Sequence, residues 1–435
     1  MILQNSSFFS STTPLGVFLV SKQLIEEATK ILAESIRYKT VLGESYEEMV
    51  DYYREVLSHY GIHVTMHRVP GEYVKKSLPR VFNPDKPRYI LFARIGYGAR
   101  VLQLNGHYDV VPSGAGWPVD PFEPRVVEGR LYGRGSSDMK GGIAAILATL
   151  IHFSQTREPE VILEAVLVPD GEIGGSTGTG YLVRELGSRP DFVLIAEPSR
   201  LSDVYVGHRG YVWALLKVHG SLQSYAVTPL VESAFENMLV YAKLFIDEYR
   251  SILSRKVSSF TYDEPESSKP SITVGGLIIS SGAINAEPSV CCFSVNRELV
   301  LEEKTNEVIK EIERLVEDLN ARTGIKAELE IIGERNPVYA PLTPIYATAF
   351  KRPIARVLGF EPRFVIASRG LDLGYYAERG IPAVAYGPGS PGVSHKPGEY
   401  IELDQLAKAI NVYIVVVNEF ERSLYSSSER LPLTE

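Results

Sequence analysis

Hydrophobic positions along the chain follow two alternating rhythms. From Lys22 to His59 apolar residues recur at helical spacing, broken by a polar loop at "TVLGES", which predicts two helices. Short apolar runs follow at "HVTMHRV", "RYILFARI" and "RVLQLNGHYDVV", the last ending in polar residues. The stretch "DMKGGIAAILATLIHF" reads as a buried helix, and "VILEAVLV" and "DFVLIAEPS" as two more buried strands. Short apolar strands separated by helices predict an α/β layer fold. In such sheets ligands gather at the carboxyl ends of strands, and the polar clusters "GHYD", "PDGE" and "AEPS" each follow a strand signal.

The rhythm changes in the middle of the chain. "GYVWALLKVHG" reads as a strand, "LVESAFENMLVYAKLFIDEYRSIL" as a helix, "SITVGGLII" and "SVCCFSVNREL" as strands, "EEKTNEVIKEIERLVEDLNAR" as a helix and "KAELEIIG" as a strand. That order, β-α-β-β-α-β, is that of a ferredoxin-like unit. The first pattern then resumes with "PIYATAFKRPIARVLG", "IPAVAYG" and a final helix from about Asp404. The expected architecture is a three-layer α/β/α domain built from residues 1–206 and 335–435, with a ferredoxin-like α+β domain inserted at 207–334. Residues 1–20 read as a ragged extension and 426–435 as a frayed tail.

Composition adds bounds. At 435 residues and 45% hydrophobic, the chain can bury a large core and exceeds one typical domain. A net charge of −8 without long runs of one sign argues against a nucleic-acid partner. The two cysteines, Cys291 and Cys292, are adjacent. In a strand they point to opposite faces, which disfavours a disulfide. This usage fits a reducing, cytoplasmic compartment. No stretch has the length of a membrane span, and the first residues lack the basic flank of a signal peptide.

Candidate chemistry begins at "VPDGEIGG", residues 168–175, where Asp170 and Glu172 flank a glycine. Alone this is turn chemistry. It has company in His107 and Asp109 (an H-x-D pair), Asp138, Glu197 and His395. Imidazoles and carboxylates together suit zinc, cobalt or manganese. About five such donors exceed what one tetrahedral ion needs and suit two cations sharing a bridging carboxylate. Singly, each residue has an ordinary structural reading. "GRGSSD" lacks the third glycine and the preceding strand of a dinucleotide loop.

In order, "LNGHYDVVP", "W..DPF", "GRLYGRGSSDMKGG", "DGEIGG", "AEPS" and "SHKPGEY" resemble the zinc-dependent deacylase and peptidase family of acetylornithine deacetylase, succinyl-diaminopimelate desuccinylase, aminoacylase and the glutamate-releasing carboxypeptidase. The resemblance covers about residues 22–415. It implies that His107 and Glu197 hold one metal, Glu172 and His395 the other, and that Asp138 bridges. Asp109 would stand behind His107 in the catalytic machinery and orient the ligands. Asn285 in "INAEP" and Arg297 in "FSVNREL" would grip a substrate carboxylate or polarise a carbonyl. The bland alternative for Arg297 is an ion pair. The implied activity is hydrolysis of the amide bond of an N-acyl amino acid or small peptide by two divalent ions, with zinc ahead of cobalt or manganese. The inserted domain would serve as lid and make a homodimer.

Two positions depart from the family pattern. The family usually carries two consecutive glutamates, a general base and then a ligand; here the base position is Gly171. A histidine that helps stabilise the oxyanion is also replaced, by Ser224 or Tyr225 in "VHGSLQSYAVTP". A positioned base is worth about 10²- to 10⁴-fold, and one oxyanion donor about 10²- to 10³-fold. Two readings follow: a hydrolase with altered base chemistry, or a metal-bound homologue that binds a ligand or partner with little turnover. On sequence grounds Asp170 is the first candidate for a replacement base. Gly171→Ala should leave metal affinity almost unchanged, and Gly171→Glu should raise hydrolysis by up to about 10²-fold.

Overall fold

Ser21 caps the first helix, Lys22–Arg37, its Oγ accepting the Leu24 N–H at 3.2 Å. Leu24, Ile25, Ala28, Ile31 and Leu32 form the buried stripe of that helix. A second helix follows at Tyr46–His59. These details come from a computed structural model that describes residues 20–220 and 233–426. The expected N-terminal extension, the tail beyond 426 and the "SLQSYAVTP" segment with Ser224 and Tyr225 lie outside the described residues.

The strands then run β1 (His63–Arg68), β2 (Tyr89–Ile95), β3 (Val101–His107), a small hairpin of β4 (Arg125–Val127) and β5 (Arg130–Tyr132), β6 (Ile162–Val168), β7 (Phe192–Ile195) and β8 (Asp203–His208). After the middle of the chain come β14 (Arg363–Ala367), β15 (Ala383–Ala385) and β16 (Tyr400–Glu402), the intervening numbers belonging to strands given below. The main sheet is mixed, in the order β1-β2-β6-β3-β7-β15-β8. β3 is parallel to β6 and β7, and β15 is parallel to β7. The carboxyl ends of β3, β6, β7 and β15 therefore share one edge.

Both faces of this sheet are covered. Gly106 of β3 faces the helix Lys140–Thr156, where an added Cβ would meet Ile143 at 3.0 Å. The alternate residues Gln103 and Asn105 point the other way and hydrogen-bond to Tyr376. Helices on both sides of a mixed sheet make the α/β fold expected from the alternating pattern.

The contacts divide the described chain into two units. One comprises residues up to 206, 340–365 and from 372 onward; the other comprises 207–339 and 366–371. The second unit contains β9 (Gly210–His219), β10 (Ser271–Ser280), β11 (Val290–Leu299), β12 (Ala327–Arg335) and the short β13 (Val338–Tyr339). Its sheet is antiparallel in the order β10-β11-β9-β12, the strand order of a ferredoxin-like unit. Two helices, Ala234–Leu253 and Thr305–Thr323, supply Met238, Tyr241, Phe245, Ile312 and Leu319 to a core shared with Val212, Leu216 and Val218. Cys291 and Cys292 are both free.

This unit runs on to Tyr339, beyond residue 334, because Val338 and Tyr339 pair with His208 and Gly207. It also takes in 366–371. There Asp263 accepts the Ser368 N–H at 2.9 Å, and Arg335 donates to the Leu371 carbonyl at 2.6 Å. Hydrophobic periodicity carries no trace of such contacts between distant segments. Among the described residues no helix is long and apolar enough to cross a membrane.

Candidate active site

The parallel strands deliver acidic and imidazole side chains to one edge. His107 is the last residue of β3, and the pleat puts it on the same face as Gln103 and Asn105. Glu172 lies in the single 3-10 turn Gly171–Ile173 that follows β6. Glu197 comes two residues after β7. Asp138 lies two residues before the helix Lys140–Thr156, whose N-cap is Met139. His395 sits in the Gly/Pro loop after β15, in the left-handed region at φ 63°.

These five side chains meet within the first unit. His107 Nε2 lies 3.6 Å from Asp138 Oδ1 and 3.6 Å from Glu197 Oε1. His395 Nε2 lies 3.4 Å from Asp138 Oδ2 and 3.0 Å from Glu172 Oε2. Asp138 thus stands between the two imidazoles and offers one oxygen to each. Donor atoms of His107, Asp138 and Glu172 all fall within 4.8 Å of one another. His107, Asp138 and Glu197 are buried, whereas the His395 side chain is 45% exposed.

The electrostatics call for positive charge. Burial alone would lower the His107 pKa, but hydrogen bonds to Asp109, Asp138 and Glu197 outweigh it and hold the value well above the ordinary range. Glu172 beside His395 raises that imidazole too, against burial. Burial pushes Glu172 upward, as does Asp138, while His395 opposes the shift. Three carboxylates crowded around two imidazoles form a donor set that suits divalent cations of the zinc, cobalt or manganese type.

Asp109 braces two parts of this set at once. Its Oδ1 accepts the Gly171 N–H at 2.8 Å and its Oδ2 the Glu172 N–H at 3.0 Å. The same Oδ1 lies 3.3 Å from His107 Nδ1. One carboxylate therefore orients an imidazole of β3 and the turn that carries Glu172.

The turn is also held from below, through Asp170. Its carboxylate is completely buried and receives Arg88 Nε at 2.6 Å, Tyr46 Oη at 2.8 Å and Thr177 Oγ1 at 2.5 Å. The remaining Arg88 nitrogens donate to the carbonyls of Phe82, Asn83 and Lys86. Its oxygens are committed to structural donors, so Asp170, the first candidate for a replacement base on sequence grounds, is not placed to act as one.

Gly171 packs against His107. A Cβ at this position would lie 2.4 Å from His107 Cγ and 2.5 Å from Cδ2. The backbone passes flat against the imidazole, and only glycine permits that approach. Any side chain at position 171, in Gly171→Ala as in Gly171→Glu, therefore requires the His107 ring or the turn to shift.

The two expected substrate contacts belong to the second unit. Asn285 is exposed in the turn between β10 and β11. Arg297 is fully buried: its guanidinium meets Glu303 at 2.5 Å and the Tyr249 hydroxyl at 3.1 Å. It is engaged in a buried ion pair, as the alternative reading for this residue had it. Two site-supporting residues escaped the sequence reading, Arg134 and Glu399. Arg134 NH1 lies 2.5 Å from Glu399 Oε2, and both are buried. Glu399 Oε1 accepts the N–H groups of Ser137 at 2.9 Å and Asp138 at 3.0 Å. Position in "SHKPGEY", four residues after His395, was the available signal.

A family model described as Peptidase family M20/M25/M40 matches residues 103–419, which includes all five converging side chains. The chain belongs to this family. It is an M20-type metallopeptidase or desuccinylase-like hydrolase. Succinyl-diaminopimelate desuccinylase of Stenotrophomonas maltophilia is 30% identical over 335 residues, covering 74% of this chain and 84% of that one. The fold is similar to that of the di-peptidase Dug1p from Saccharomyces cerevisiae, with a TM-score of 0.75 at 16% identity over 92% of this chain and 98% of that one. It is also similar to Bacillus subtilis YXEP, described as a dinuclear metal binding peptidase from the M20 family, with a TM-score of 0.60 at 14% identity over 92% and 99% of the two chains.

Proposed function

We propose that this M20 chain hydrolyses the amide bond of an N-acyl amino acid or small peptide, slowly, with a pair of divalent cations of which zinc is the first choice. The observation that carries this reading is Asp138 placed between His107 and His395, 3.6 and 3.4 Å from their Nε2 atoms. His107 and Glu197 would hold one cation, Glu172 and His395 the other, and Asp138 both. When bound, such a pair polarises the scissile carbonyl and supplies a nucleophile at neutral pH.

The chain's own residues then set the rate. Asp109 keeps the His107 imidazole and the Glu172 turn in register. No carboxylate projects from position 171 to take up a proton, and Asp170 is occupied by Arg88. The expected loss is about 10²- to 10⁴-fold relative to a site with a positioned base. The desuccinylase relatives support an N-acyl amino acid as the substrate class. A homodimer through the second unit is part of the proposal. Its edge strand β10 exposes Leu277, Ile278 and Ile279, and its helix Ala234–Leu253 exposes Phe235, Leu239 and Val240.

A second reading, a metal-bound homologue that binds a ligand with little turnover, is favoured by Gly171 and by the absence of the oxyanion histidine from "VHGSLQSYAVTP". One experiment separates them: zinc-loaded protein assayed against N-acetyl and N-succinyl amino acids and dipeptides, with cation stoichiometry measured alongside. Two ions per chain and a kcat under about 1 s⁻¹, abolished by Glu172→Ala, support the hydrolase. Two ions with no turnover on any substrate favour the second reading. Failure to bind divalent cations overturns both.

A further inference from the structure

We infer that Glu399 is a positioning residue for the cation site, acting through the backbone of Asp138. The inference rests on the metal reading above. It starts from three segments that must agree on one geometry. Asp138 precedes a helix, His395 lies in the loop after β15, and the chain after Asp109 passes through Pro112 and Ser113. Nothing in the donor set itself ties their backbones together.

Glu399 does so with one carboxylate. Its Oε1 accepts two consecutive amides, Ser137 N–H and Asp138 N–H, at 2.9 and 3.0 Å. The backbone of Glu399 joins in, its carbonyl accepting the Gly133 N–H at 3.0 Å. Its other oxygen, Oε2, is held by Arg134 at 2.5 Å. Arg134 reaches on to the Ser113 carbonyl at 3.2 Å and lies over the Trp117 ring at 5.3 Å. Since Glu399 is four residues from His395, any shift of Asp138 relative to the His395 loop must break a hydrogen bond to a buried carboxylate. Breaking such a charge-assisted bond is costly. Residues that hold ligands in this way typically change metal affinity by about 10- to 100-fold when removed.

A purely structural ion pair would stabilise the fold without setting cation affinity, and two double variants separate the roles. Arg134→Met with Glu399→Met removes both charges, so no buried ion is left unpaired. Arg134→Met with Glu399→Gln also removes both charges but keeps a side-chain oxygen for the Ser137 and Asp138 amides. The full-length protein is titrated with zinc calorimetrically and with cobalt by its visible spectrum, after circular dichroism has verified folding. The Met/Met variant should bind cations about 10- to 100-fold more weakly than wild type, with an altered cobalt spectrum. The Met/Gln variant should recover most of that affinity.

Equal, wild-type affinities in both variants would overturn the inference while leaving the metal reading intact. Equal losses in both would overturn it too, because the amide acceptor would then not be what matters. If the Met/Met protein fails to fold, the Met/Gln variant decides against Arg134→Met with Glu399→Ser, whose side chain is too short to reach the amides. Absence of cation binding by wild type removes the metal reading and this inference together.

Discussion

A methyl group on Gly171 would meet the His107 ring at 2.4 Å, well inside van der Waals contact. Gly171→Ala should therefore displace the imidazole and weaken zinc binding, by an amount comparable to loss of a supporting residue, about 10- to 100-fold. Gly171→Glu should lose at least as much and gain no hydrolysis. Calorimetric zinc titration of both variants checks this, and a Gly171→Ala protein with wild-type affinity would show that the ring has room to move. The side chains that converge were legible: His107, Asp138, Glu172 and Glu197 stand near a strand end or helix start, and His395 in a Gly/Pro loop after a strand. What lies around them was not. That glycine touches an imidazole 64 positions earlier in the chain is a fact of packing, and local composition reads "DGE" only as a turn. The surroundings of Arg297 were illegible for the same reason, since nothing in "FSVNREL" reveals that Glu303 and Tyr249 enclose it.

At the level of elements, the strand alternation, the buried helix at Lys140–Thr156 and the β-α-β-β-α-β order could all be read from periodicity. The anchors between elements could not. Arg88 precedes β2 and Asp170 follows β6, and they form a fully buried ion pair at 2.6 Å. Arg88→Met leaves the Asp170 carboxylate buried without its cation, at a cost of about 3–5 kcal/mol. Urea unfolding of the two proteins should show that loss; a difference below about 1 kcal/mol would mean that the pair is idle. In the other unit His208 is buried, its Nδ1 donating to the Arg209 carbonyl at 2.7 Å. Burial, helped by the Arg335 charge and opposed by that hydrogen bond, lowers its pKa to about 3. Its unfolded value is about 6.5, so below that pH the unfolded chain takes up a proton that the folded one refuses. Stability should fall as pH drops from about 6.5 toward 3, by up to about 1.4 kcal/mol per unit. His208→Leu should flatten this dependence, and parallel stability curves for variant and wild type between pH 6 and 4 would contradict the assignment.

On the scale of the whole molecule, the path of the chain matters more than any single contact. It crosses between the two units at 206/207, 339/340, 365/366 and 371/372. The short return through 366–371 makes the second unit discontinuous, and the first unit is built from three stretches of sequence. A protease that cuts at one crossing therefore severs the polypeptide without releasing a part. A break at 206/207, for example, leaves β7 on one fragment and β15 on the other, still paired along Ala383–Ala385. Limited proteolysis should thus yield fragments that separate only in denaturant, while native mass spectrometry records the intact mass. A nick that frees either fragment under native conditions would show that the sheet does not clasp its own ends. For this protein, cleavage and disassembly should then be separate events, and the sheet edge that gathers His107 and His395, with side chains drawn from both sides of such a cut, should survive the first without the second.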